Sequence, residues 1–241
     1  MIFAIISVIM VKIYIYQYAK KGVEMKKITV VTGHYGSGKT NLSVNIALKS
    51  AAEGKKVAVC DLDIVNPYFR LADFEDIFRE KGIEFAAPQF ANTSLDIPAL
   101  NFNVEGLADF SDHLIIDVGG DDAGAVALGR YSETLHNLDS EFEMIYVINK
   151  YRYLEGAEDE TALLIPQIEA ASRMKHTGIV NNSNLGEETT EDIVKNSVEY
   201  AENISERTGL PLLYTTYPSY LEKPFPKAVP VDVYVKPVWE R

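Results

Sequence analysis

Residues 26–40 read Lys26-Lys27-Ile28-Thr29-Val30-Val31-Thr32-Gly33-His34-Tyr35-Gly36-Ser37-Gly38-Lys39-Thr40, and this stretch decides the fold. Lys27–Thr32 is a short apolar and β-branched run of the kind that forms a buried strand. The next eight residues, Gly33, His34, Tyr35, Gly36, Ser37, Gly38, Lys39 and Thr40, fit G-x-x-x-x-G-K-[ST] in full. Beyond them, Lys39–Ala52 places Leu42, Ile46 and Ala47 at helical spacing, and Gly54 stops the run. A glycine-rich turn between a strand and a helix N-terminus points successive N–H groups, and the positive end of the helix, at an anion. In such a loop the lysine contacts the β- and γ-phosphates and the Thr hydroxyl goes to Mg²⁺. Residues 33–40 are therefore expected to bind a nucleoside triphosphate, with Lys39 on the phosphates, Thr40 on the metal and Asn41 following them in the site.

Outward from the loop, short apolar runs alternate with amphipathic stretches. Strands are expected at Lys56–Cys60, Glu84–Ala87, His113–Val118, Glu143–Asn149, Thr177–Asn181, Leu212–Thr215 and Val231–Val235. Helices are expected at Pro67–Lys81, Val104–Phe110, Ala123–Leu138, Ala157–Met174 and Glu188–Arg207, with a loop over 88–103. Alternation of this kind implies βαβ units, and continuous apolar strands such as Leu114-Ile115-Ile116 imply burial on both faces. The fold class is α/β, a doubly wound and mostly parallel sheet with helices on both faces, whose ligands sit at the carboxyl ends of the strands.

Two further strand ends carry acids. Asp61 and Asp63 lie two apart after the second strand, on one side of the chain. Asp117 closes the strand His113–Val118, where a P-loop protein keeps its second holder of the metal. Gly119 and Gly120 follow, and a backbone without side chains can approach a γ-phosphate closely. The metal holders expected from these residues are Thr40 and Asp117.

Composition narrows the partners. Apolar residues make up 47% and charged residues 24% of 241, so a full globular core is available. The formal net charge of −12 disfavours a polyanionic partner, and no nucleic acid is expected. A single cysteine, Cys60, cannot form an internal disulfide, which fits a reducing compartment and a cytoplasmic location. Residues 1–24 are an apolar leader interrupted by Lys12, shorter than a spanning helix and without a cleavage signal. Met25-Lys26-Lys27 reads as a natural start, so the leader is expected to be a start-site error and 25–241 the nucleotide-binding domain. A membrane enters only if 1–24 is native.

Taken together, the P-loop, Asp61-Leu62-Asp63 and Asp117-Val118-Gly119-Gly120 resemble the MinD/ParA-like P-loop ATPases, over Met25 to about Tyr220. The resemblance implies that Asp63 orients the attacking water and that Asp61 holds magnesium through water. It also implies that 63–70 and 117–124 are switch segments, and that two subunits meet face to face over their nucleotides. Members often carry a lysine early in the loop that reaches the partner's phosphates; here His34 stands there, which puts lysine-dependent dimerisation in doubt. An unidentified protein client would accompany a switch of this kind.

The base is read less directly. Asn149-Lys150-Tyr151-Arg152 begins like a guanine-reading motif but ends in Arg152, where an acid would accept the guanine N–H groups. ATP is therefore expected rather than GTP. Asn181 or Asn182, near where the family places an adenine-contacting asparagine, is the candidate base reader. The expected function is magnesium-dependent ATP hydrolysis as a molecular switch. An ATP-dependent small-molecule kinase or ligase on the same fold, and a non-hydrolysing nucleotide-binding scaffold, are the alternatives.

Overall fold

In the computed structural model, the described residues are 26–63, 71–87, 103–120, 122–138, 142–152 and 157–235. Among the described residues eight strands form one sheet, and every neighbouring pair runs parallel, in the order β3-β2-β4-β1-β5-β6-β7-β8. The strands are β1 (Ile28–Gly33), β2 (Val57–Leu62), β3 (Glu84–Ala86), β4 (His113–Val118), β5 (Phe142–Ile148), β6 (Gly178–Asn181), β7 (Leu212–Pro218) and β8 (Ala228–Val231). The helices are α1 (Lys39–Ala52), α2 (Glu75–Glu80), α3 (Val104–Phe110), α4 (Asp122–Gly129), α5 (Ser132–Asn137), α6 (Ala157–Ser172), α7 (Glu191–Asn196) and α8 (Val198–Thr208).

The central strands are buried on both faces because their side chains alternate between two cores. Ala58, Cys60, Leu62, Leu114, Ile116, Met144, Tyr146 and Ile148 face a core closed by α3, α4, α5, α6 and α8. Val57, Val59, Ile115, Ile145 and Val147 face the other, where α1 contributes Leu42, Val44, Ile46 and Ala47 and α2 contributes Phe78. Truncating one of these fully buried side chains, Ile116→Ala for example, would cost about 2–5 kcal/mol. Among the described residues no helix is long and apolar enough to cross a membrane.

Several elements differ from the sequence expectation. The helix expected over Ala123–Leu138 is broken at Gly129, whose carbonyl is taken by the Ser132 hydroxyl at 2.9 Å and by the Arg173 guanidinium instead of continuing a helical ladder. That expected over Glu188–Arg207 begins only at Glu191, capped by Thr190, and is divided at Ser197, whose hydroxyl bonds back to the Val194 carbonyl at 2.7 Å. The last strand is Ala228–Val231 rather than Val231–Val235. Its continuation is claimed by α1: Asn41 Oδ1 accepts from the Tyr234 and Val235 amides at 2.8 and 3.1 Å. Asn45 exchanges two bonds with the Asp232 backbone, at 2.8 and 2.9 Å. Of the segment Pro67–Lys81, the described part is a 3₁₀ turn, Leu71–Phe74, followed by α2. Residues 64–70 and 88–102, which include most of the first expected switch and the expected loop, lie outside the described residues, as does the leader.

Candidate nucleotide site

The site lies where the sheet order places it, at the carboxyl end of β1 between β4 and β5. From Gly33 the chain turns through the loop and enters α1 at Lys39. Gly38 stands at the N-cap with φ +88°, a left-handed conformation that an L side chain resists. A Cβ there would also lie 2.3 Å from Asn182 Nδ2. Gly33 is equally enclosed, since a Cβ on it would come within 2.4 Å of the Val147 carbonyl oxygen. Within the loop, His34 is half-buried, Tyr35 is exposed and Ser37 is buried. Among the described residues the Ser37 hydroxyl has no hydrogen-bond partner. Lys39 is buried, and its ammonium donates to the His34 carbonyl at 3.2 Å.

The acids converge beside the start of α1. Asp61 and Asp117 are register partners at the ends of the adjacent strands β2 and β4, so two buried carboxyls stand side by side. The Thr40 hydroxyl donates to Asp117 Oδ2 at 2.8 Å, and the Ser43 hydroxyl, one turn further along α1, donates to Oδ1 at 3.0 Å. Asp63 follows β2, is half-buried, and its amide donates to Asp61 Oδ1 at 2.9 Å. Burial pushes Asp117 up to about 6, against the pull of Lys39 and of the two hydroxyls. Burial, and then the charge of Asp117, push Asp61 up to about 7. Gly120 completes the wall: a Cβ on it would lie 2.7 Å from the Tyr35 nitrogen and 2.8 Å from Lys39 Nζ, so the backbone after β4 rests directly on the loop. Gly119 precedes it and is buried.

These groups fit a hard divalent cation. Thr40, Asp61 and Asp117 offer oxygen donors only, and two adjacent buried carboxyls disfavour joint ionisation until a cation offsets them. Among the described residues no cluster of three or more His, Cys, Asp or Glu side chains could hold a metal by itself. Magnesium at a triphosphate site does not need one, because phosphate and water complete its shell.

Three of the expected site residues have partners within the protein. Asn181 is fully buried, and its amide nitrogen donates to the Ser197 hydroxyl at 2.8 Å while its oxygen accepts from the Ser183 hydroxyl at 2.6 Å. Asn182 is buried beneath the loop; Nδ2 donates to the Ser37 carbonyl at 2.9 Å and Oδ1 accepts from Thr216 at 2.6 Å. Both carboxamides are held by protein partners, and Asn182 Nδ2 braces the phosphate loop at Ser37. Asn41 is engaged with residues 232–235.

Sequence reasoning missed Ser43, although its position one turn after Thr40 on the same helix face was legible. It also treated Arg152 only as the absence of an acid. In the structure Arg152 Nε donates to the Gly36 carbonyl at 3.1 Å.

Comparison with known proteins agrees with this geometry. The sequence profile of the CobQ/CobB/MinD/ParA nucleotide-binding domain matches residues 28–206. No curated protein matches the chain. Among solved structures, FtsY from Mycoplasma mycoides superposes with a TM-score of 0.54 at 16% identity, over 81% of this chain and 62% of that one. FtsY from Thermotoga maritima gives 0.53 at 18% identity, over 88% and 70%. The signal recognition particle 54 kDa protein from Aeropyrum pernix, solved with GDP, gives 0.52 at 17%, over 82% and 43%. This chain thus spans less than two thirds of two of these three proteins, and likeness at such identities describes the shared fold.

Proposed function

We propose, from the premise that this chain belongs to the CobQ/CobB/MinD/ParA nucleotide-binding domain family of P-loop NTPases, that it binds ATP with magnesium and hydrolyses it as a slow molecular switch. The observation that carries this reading is the junction of Thr40 with Asp117, beside Asp61 and under Lys39, at the mouth of the phosphate loop.

Each side chain has a task in the reaction. The amides of residues 34–40 and the N-terminus of α1 hold the β- and γ-phosphate oxygens, since a helix start carries unpaired N–H groups and positive potential. Lys39 gives up its bond to the His34 carbonyl and offsets the charge that gathers on the γ-phosphoryl oxygens. Thr40 and Asp117 orient one another, and with Asp61 they form the metal face of the site. Bound magnesium would neutralise phosphate charge there. Asp63 positions a water in line with the γ-phosphorus. The oxygen–phosphorus bond forms, the bond to the β,γ-bridging oxygen breaks, and ADP and inorganic phosphate leave. Gly120, already against Tyr35 and Lys39, is the backbone that would register the γ-phosphate and pass its loss on to α4. Preference for ATP rests on the stretch Asn149–Arg152, which lacks the acid that would accept the guanine N–H groups.

Calorimetric titration of the full chain with Mg-ATP and Mg-GTP tests the reading. Tight binding of ATP, weaker binding of GTP and loss of both in Lys39→Ala are expected. Undiminished ATP affinity in folded Lys39→Ala would remove the phosphate-loop assignment.

A further inference from the structure

Arg152 ends a 3₁₀ turn, Lys150–Arg152, that follows β5. The turn is pinned from several sides. Asn149 is buried and its Oδ1 accepts from the Tyr151 amide at 3.0 Å, while the Asn149 carbonyl accepts from the Arg152 amide at 3.2 Å. The Lys150 amide donates to Ser183 Oγ at 2.8 Å. The first two side chains of the turn are spent on the region of α7: the Lys150 ammonium donates to the Asn196 carbonyl at 2.9 Å, and the Tyr151 hydroxyl to the Ile193 carbonyl at 2.6 Å.

Only the third side chain turns to the phosphate loop. Arg152 Nε reaches the Gly36 carbonyl at 3.1 Å. A Cβ on Gly36 would meet Nε, Cδ and Cζ of Arg152 at 3.3, 3.5 and 3.6 Å, so the guanidinium packs against the loop's turning point. Gly36 itself has φ +78°, and another residue there would both strain the backbone and press on Arg152. Nε is the donor used. Among the described residues Nη1 and Nη2 make no hydrogen bond, and Arg152 has no carboxylate partner, in a chain where acids outnumber Lys and Arg by 35 to 23. A guanidinium matches phosphate oxygens with paired N–H groups and stays charged at any working pH.

From this juxtaposition we infer that Arg152 is a second cation of the triphosphate site, bracing the loop through Nε at Gly36 and presenting Nη1 and Nη2 in cis to the phosphates of the bound nucleotide. Lys39 and Arg152 thus place two cations at the two sides of the loop. The inference rests on the nucleotide reading of the site.

The test is titration of the full chain with Mg-ATP at low and high salt, for the wild type, Arg152→Gln, Arg152→Lys and Lys39→Ala, with folding checked by thermal melting. Arg152→Gln should weaken binding about tenfold or more, as loss of a charge-assisted bond does. Its affinity should also fall less steeply with salt than the wild type's, because one screened attraction is gone. Arg152→Lys should keep most of the salt dependence while losing part of the affinity. A brace without phosphate contact would weaken binding equally at every salt concentration, and that parallel result, like wild-type affinity in Arg152→Gln, would overturn the inference. Failure of the folded wild type to bind ATP, or wild-type affinity in Lys39→Ala, would instead overturn the nucleotide reading.

Discussion

Replacing Asn182 by alanine distinguishes a brace under the loop from the base reader that the sequence suggested. In the structure the side chain ties the loop to the sheet: Nδ2 donates to the Ser37 carbonyl at 2.9 Å and Oδ1 accepts from Thr216 at 2.6 Å. Truncation leaves the Ser37 carbonyl without its donor. The Thr216 hydroxyl is less affected, because the Asn181 carbonyl stands 3.4 Å away as a second acceptor. One orphaned buried acceptor costs about 1–3 kcal/mol, and the lost contact beneath Gly38 adds to it. A loss of about 2–3 kcal/mol in urea denaturation is therefore expected. The loop would also lose its fixed shape, so affinity for Mg-ATP and Mg-GTP should fall by the same factor, on the order of tenfold, since the phosphates are common to both. Calorimetry on both nucleotides reads that ratio. A variant as stable as the wild type would refute the brace, and one that loses ATP affinity while GTP affinity holds would favour Asn182 as a base reader.

Gly38→Ala combines a left-handed backbone at φ +88° with a Cβ 2.3 Å from Asn182 Nδ2, so thermal melting should show a loss of more than about 1 kcal/mol and ATP binding should fall with it; a neutral substitution would contradict the geometry. Asp117→Asn keeps the size of the side chain but removes the charge beside Thr40, and should reduce the magnesium dependence of ATP binding about 10- to 100-fold; an unchanged magnesium titration would exclude Asp117 from the metal face. His113, buried between Thr29 and Ser50, is pushed down to about 4 from its usual 6.5 by burial and then by Lys55. Between those values the folded state binds fewer protons than the unfolded state, so stability present above pH 6.5 is lost as pH falls toward 4, by about 3 kcal/mol at most. Glu143, raised by burial on the other side of Thr29, opposes part of that loss. Urea denaturation at pH 7.5 and pH 5 should show a smaller difference in His113→Gln than in the wild type, and an equal difference would remove His113 from the pH response.

The legible parts of this molecule were those fixed by local pattern. The helix Lys39–Ala52, the strand His113–Val118 and the short helix Val104–Phe110 fall on the residues their periodicity indicated, because each buries a face whose spacing is written in the sequence. The meeting of Thr40, Asp61 and Asp117 was legible because strand ends in a parallel sheet share one edge. What was not legible came from partners distant in sequence. Asn41 and Asn45 draw residues 232–235 away from the sheet, and nothing near Val231 announces it. Ser132 and Arg173 take the Gly129 carbonyl and divide a helix whose apolar spacing runs through the break. Asn182 and Arg152 each reach the phosphate loop from over a hundred residues away, and a residue read only for its likeness to a base-reading motif shows no sign of such a contact.

Phosphate release from ATP and from GTP by the full chain, with and without magnesium, alongside Asp63→Ala, tests the central claim most directly. The account predicts slow release that needs magnesium, favours ATP and disappears in Asp63→Ala while ATP binding remains. Release that persists in Asp63→Ala, or that runs faster on GTP, would contradict it.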